Sequence, residues 1–161
     1  MDTVQILFTL PDVGSILDFL AIDLLPSSIT NSCIVIVNAD PHTKGMFPLA
    51  SLHFRPESSS AQYIDSYGIV PFVPDILAFI RRNCTTWDVN RRNMQGLTSD
   101  VCGKYCCLFS LCMDRGYTQK EFITLFDTFN VTQQQLEGMF ASEFGAELPR
   151  GGWRQCSHSC L

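Results

Sequence analysis

Long apolar runs are missing from this chain of 161 residues: none approaches the roughly 18 residues that a membrane span needs. A basic leader is missing too. The opening MDTVQILFTLPDV carries no Lys or Arg before its apolar stretch and meets Asp12 and Asp18 soon after, so it does not read as a secretory signal. Positive charge is short: 11 Lys and Arg against 16 Asp and Glu leave a net charge of -5, which gives the chain as a whole no strong attraction to nucleic acid or anionic lipid. Without an export signal, the eight cysteines read as free, buried or catalytic thiols rather than a disulfide framework, and an intracellular location is expected. The N-x-T matches at Asn83 and Asn130 are then chance, because glycosylation needs the secretory route. Histidine is scarce as well, with three in all: His42, His53 and His158.

Apolar side chains make up 46% of the sequence, enough for one good core in a single domain spanning 1–161. Ile16, Leu17, Leu20 and Leu24 predict a short amphipathic helix before a Pro-Ser turn. Three β-type runs follow, Cys33 to Asn38, Leu49 to Phe54 and Gln62 to Tyr67, with Gly, Pro and Ser between them. DILAFIRRN after Pro74 has helical spacing, and 85–99 reads as a looser polar segment. Ser99 and Asp100 are N-cap residues for a helix through VCGKYCCLFSLCMD, whose Val101, Tyr105, Leu108, Phe109 and Cys112 share a face. TQKEFITLFDTF and TQQQLEGMFASEF predict two further helices, and 148–161 reads as an irregular tail. There is no internal repeat or low-complexity tract. The expected architecture is α+β, a small mixed sheet packed on a central helix that carries Cys102.

Cys102 falls in the first turn of that helix, where unpaired backbone N–H groups and the macrodipole favour negative charge. That is a place for a nucleophile. Gly103 leaves room for a substrate backbone, and Gln95, seven positions before Cys102, can offer an amide N–H to a developing oxyanion. The plain alternative is one more buried cysteine, since cysteine is among the most commonly buried residue types.

The run Gln95-Gly96-x-x-Ser99-x-x-Cys102-Gly103-x-x-Cys106 resembles the oxyanion and nucleophile segment of adenain-type cysteine proteases, the maturation proteases of adenoviruses and their relatives in transposons and other DNA viruses. YIDSYG resembles the strand that carries the acidic member of the catalytic triad, which implies that role for Asp65, and CIVIVNADPHTKG resembles the first strand and the loop before the catalytic histidine. The likeness runs from about Ile34 to Gly68 and from about Arg81 to Phe109, more weakly through FLAIDLLP, and fades after Met113. It implies a papain-like fold and a thiol endopeptidase that cleaves viral precursor proteins after small residues such as Gly-Gly, in the host nucleus, the cytoplasm or the virion.

The departure from the family falls on the base. Seventeen positions before Asp65, where the family has its histidine followed by Trp, this chain has Pro48 followed by Leu49. General acid–base help is worth about 10² to 10⁴ in rate, so its loss is severe. His53, five positions along the strand, is expected about 16 Å away and on the opposite face. His42, in the loop before the strand, is the candidate substitute base, and His158 reaches the site only by docking of the tail. The alternative to an endopeptidase is therefore a catalytically inactive pseudoprotease that binds a peptide as an interaction module.

No metal or small cofactor is required by the sequence, but the resemblance implies a peptide cofactor. In adenain that peptide ends in a cysteine and one apolar aromatic residue, and it forms a disulfide with a cysteine eleven positions before the oxyanion glutamine. Cys84 holds that position here, and the chain ends in Ser159-Cys160-Leu161 after the pair Gly151-Gly152, so Cys84 and Cys160 form a candidate cofactor-peptide site. The expected partner is a polypeptide, with DNA contact through Arg81, Arg82, Arg91 and Arg92 as a lesser expectation; no membrane partner and a monomer are expected.

Overall fold

A computed structural model describes residues 16–40, 49–94, 102–126 and 133–144. Five strands form one mixed sheet in chain order: β1 (Ile16–Ala21), β2 (Cys33–Asn38), β3 (Leu49–Arg55), β4 (Ser60–Asp65) and β5 (Thr86–Val89). The outer pairs, β1 with β2 and β4 with β5, are parallel, and the two central pairs are antiparallel. The described helices are α1 (Pro74–Asn83), α2 (Cys102–Asp114), α3 (Gln119–Thr124) and α4 (Gln133–Phe144). This is the α+β mixed sheet on a Cys102 helix that the sequence pattern predicts.

Side-chain alternation along β3 divides the core in two. Ala50, Leu52 and Phe54 join Val35, Val37, Tyr63, Ile76, Phe79 and Ile80 on the α1 face. Leu49 joins Ile34, Ile36, Ile64, Phe109, Phe122 and Leu136 on the face covered by α2, α3 and α4. Because both faces are covered, β2 is buried at every position and reads as an unbroken apolar run. Pro74 opens α1 with a preset φ and no orphan N–H, Asp75 sits in its first turn, and Arg81 and Arg82 sit in its last, matching the macrodipole. Thr118 and Glu121 close a capping box on α3. Gly116, at φ +84, ends α2 in a Schellman turn, with Gly116 N–H on the Met113 carbonyl and Tyr117 N–H on that of Cys112.

Three sequence expectations are corrected. The predicted first helix is a strand over Ile16–Ala21 followed by a 3₁₀ turn over Ile22–Leu24, because pairing with β2 decides a short apolar run whose periodicity suits either state. The segment expected to be loose contains β5, a four-residue edge strand that alternates exposed and half-buried positions and carries little apolar signal. The strand expected from Gln62 to Tyr67 spans Ser60–Asp65 instead, because Asp65 begins a turn. The expected N-caps Ser99 and Asp100, Val101 and the tail 148–161 lie outside the described residues.

Phe79 is 0% exposed and meets Phe54 edge-on at 5.3 Å, which makes it the keystone of the α1 face. Phe79→Ala should lower unfolding free energy by about 3–5 kcal/mol, read as a shifted midpoint in urea denaturation.

Candidate functional site

One end of the sheet collects the chemistry. Asn38, closing β2, pairs with Leu49, opening β3, and Ala50 pairs with Asp65, closing β4. The chain then turns: Gly68 N–H donates to the Asp65 carbonyl, and Tyr67 N–H to Asp65 Oδ1 at 2.7 Å. Asn90 stitches the turn to the segment after β5. Its Oδ1 accepts from Asp65 N–H at 2.8 Å, while its Nδ2 donates to the carbonyls of Asp65, at 2.8 Å, and of Arg92. Met94 N–H then donates to the Ser66 carbonyl at 2.8 Å, and the Tyr105 hydroxyl donates to the Met94 carbonyl.

Tyr105 stands in the first turn of α2, three residues after Cys102, so this chain of bonds draws the Cys102 turn to the end of β4. Cys102 itself is half-buried and packs against the α2-side core together with Met94. One helical turn deeper, Cys106 is fully enclosed beside the Ser51 hydroxyl. Burial drives its thiol far above the usual range, against the pull of the Ser51 hydroxyl, and the neighbouring Asp65 carboxyl adds to the rise.

Asp65 is 4% exposed, and burial raises its pKa against the pull of the Tyr67 and Ile69 N–H groups. Its carboxyl thus serves the turn whatever else it does. Of the other predicted site residues, Gln95, Pro48, His42 and Cys160 lie outside the described residues, as does His158.

Cys84 is not part of this cluster. It ends α1 as a free thiol 6% exposed and donates to the Ile80 carbonyl at 3.2 Å. Thr85 N–H bonds to Ser59, just before β4, so Cys84 lies a full strand length from Asp65. Arg82 ties the segment before β2 to α1, through Nε to the Ser27 carbonyl at 2.7 Å, and its guanidinium lies over Phe79. Arg81 and Arg82 precede β5, whereas the exposed Arg91 and Arg92 follow it. Among the described residues, no three His, Cys, Asp or Glu side chains are placed to hold a metal, and no helix is long and apolar enough to cross a membrane.

His53 shares the α2 face with Leu49 and Ser51, on the side of the sheet where Cys102 stands. Burial, with Arg55 second, lowers its pKa; Gln62 and Glu57 pull the other way. No protein-family model matches this chain, and no curated protein matches it.

Sequence reasoning missed Asn90 and Gly68. Asn90 bonds backbone groups that only the β4–β5 pairing brings near, so no local signal marks it. Gly68 did carry a signal, as the fourth residue of an Asp-Ser-Tyr-Gly turn. Its φ is +72, and an added Cβ would stand 2.5 Å from the Arg92 carbonyl carbon and 2.8 Å from the Asn93 nitrogen. Gly68→Ala should therefore cost at least about 1 kcal/mol, read by urea denaturation, and loosen the segment that leads to Gln95.

The pH dependence follows from the sign of the His53 shift. A histidine whose folded pKa is depressed contributes stability that is present above its ordinary value of 6.5 and is lost as pH falls through the folded value. Urea midpoints should fall between pH 7.5 and pH 5, and His53→Phe should flatten that slope.

Proposed function

We propose that this chain is an adenain-like, papain-type cysteine protease domain of viral or mobile-element origin. In this reading it binds a polypeptide at the Cys102 end of the sheet and is disabled for cleavage by Pro48. The observation that carries the reading is the meeting of three motif segments at one sheet end: the Cys102 turn of α2, the Met94 peptide leading to Gln95, and the Asp65 turn. A thiol protease needs its nucleophile, oxyanion donor and acid to converge from distant parts of the chain.

In this reading Cys102 is the nucleophile position, Gln95 the oxyanion donor and Asp65 the acid. In this reading the imidazole that position 48 lacks is the group that would take the thiol proton and protonate the leaving amine. Peptide binding does not need that group. In this reading the Cys102 end of the sheet therefore serves as an interaction surface for a Gly-Gly-like segment while turnover is lost.

Restoring the base tests the reading. Pro48→His should raise cleavage of a fluorogenic peptide ending in Gly-Gly by about 10² or more, and adding Cys102→Ala should abolish the gain. Leu49→Trp is best left for a second step, because Leu49 is 3% exposed and a larger side chain would overpack the core. In the wild type, an iodoacetamide probe at neutral pH should label Cys102 ahead of Cys33, Cys84, Cys106 and Cys107, whose thiols burial holds protonated. Neither a gain from Pro48→His nor selective labelling of Cys102 would leave the protease reading without support.

A further inference from the structure

Helix α2 carries the peptide site at its first turn and a second feature at its last. There, with α3 and α4, it encloses a cavity of about 460 Å³. At a rise of about 1.5 Å per residue, Cys112 on the cavity wall lies about 15 Å along the helix axis from Cys102, so the two sites are separate. The buried part of the lining is apolar: Leu108, Phe122 and Phe126 are each 5% exposed or less. The charged part sits at the mouth, where Arg115 Nη2 meets Glu143 Oε2 at 2.9 Å and the two side chains are 52% and 36% exposed. An apolar hollow of about 300–1,000 Å³ with a few polar groups at one edge is the usual form of a small-molecule site.

Gly138 is a second and independent sign. It lines the same cavity from the middle of α4, where glycine is destabilising relative to alanine. Its φ is not positive, and an added Cβ would meet nothing within 4 Å. Neither backbone conformation nor close packing inside the protein therefore accounts for a glycine at this place. Room kept for a bound molecule does.

We propose that the cavity between α2, α3 and α4 binds a small uncharged amphiphile, an apolar chain or ring that carries a hydroxyl or amide head. The apolar lining takes the body, and the mouth selects the head. Among the described residues that line the cavity, Arg115 and Glu143 carry the charge, and as a pair they are neutral. A carboxylate head would meet Glu143, and an ammonium head would meet Arg115, each at contact distance. A hydroxyl or amide escapes both repulsions, because it accepts from the guanidinium fork and donates to the carboxylate. This site stands apart from the protease reading and does not depend on it.

The test is fluorescence titration of the full chain with N-phenyl-1-naphthylamine, an uncharged probe that brightens in apolar surroundings. One molecule should bind per chain, and octanol should displace it at about tenfold lower concentration than octanoate or octylamine. No probe binding overturns the proposal, and so does displacement by either charged competitor as readily as by octanol. Gly138→Leu fills the hollow from α4 and should weaken probe binding at least about tenfold while the urea midpoint stays at or above that of the wild type. Unchanged binding in that variant overturns the location. Methyl NMR of the wild type decides the location even where the variant does not fold. Octanol should shift the methyl signals of Leu111, Leu125 and Met139, which line the cavity, and leave those of Val35 and Leu52 on the α1 face in place. Still signals at all three lining residues overturn the proposal.

Discussion

The register of β3 is the constraint on which the molecule depends. Its even positions, Ala50, Leu52 and Phe54, fill the α1 face, and its odd positions, Leu49, Ser51 and His53, fill the α2 face. A slip of one residue would exchange the two sets and place a histidine and a serine against Phe79 and Ile80. The same register puts Ala50 opposite Asp65 and Leu49 opposite Asn38, and so sets which strand ends meet below the Cys102 helix. Packing on two faces thus fixes which strand ends lie together at the candidate site.

The polar contacts then hold the end of the sheet shut, and most of them run through backbone groups. Asn90 engages Asp65 through both the N–H and the carbonyl, and Met94 bridges Ser66 and Tyr105. Such bonds are insensitive to the side chains at Ser66 and Met94, so the frame tolerates substitution at both positions. Gly68 is the exception: there the approach of Arg92 and Asn93 leaves no room for a side chain.

Legibility in the sequence followed the strength of local periodicity. Helices α1, α2 and α4 and strands β2 and β3 were readable because apolar spacing and flanking turn residues agree within each segment. Strand β1 misled because six mostly apolar residues suit a helix face as well as a buried strand, and only the parallel pairing with β2 decides. Strand β5 was invisible because an edge strand of four residues buries little. For the candidate site, the motif spacing that singled out Cys102 and Asp65 is a feature of the sequence, and the structure places both at the same end of the sheet. Asn90 was not legible, because its partners on Asp65 are backbone atoms 25 residues away.

Asp65 shows why an acid at a motif position is weak grounds for activity. In a triad, its carboxylate would orient an imidazole and stabilise the imidazolium. Here the buried carboxyl already accepts from Tyr67 N–H, with Ile69 N–H also holding it, and these bonds start the turn that carries Gly68 against Arg92. Replacing it by an apolar residue would orphan those turn donors in a buried setting, at the cost of an unmade hydrogen bond for each, about 1–3 kcal/mol. The residue therefore has a structural reason to remain whether or not a base stands beside it.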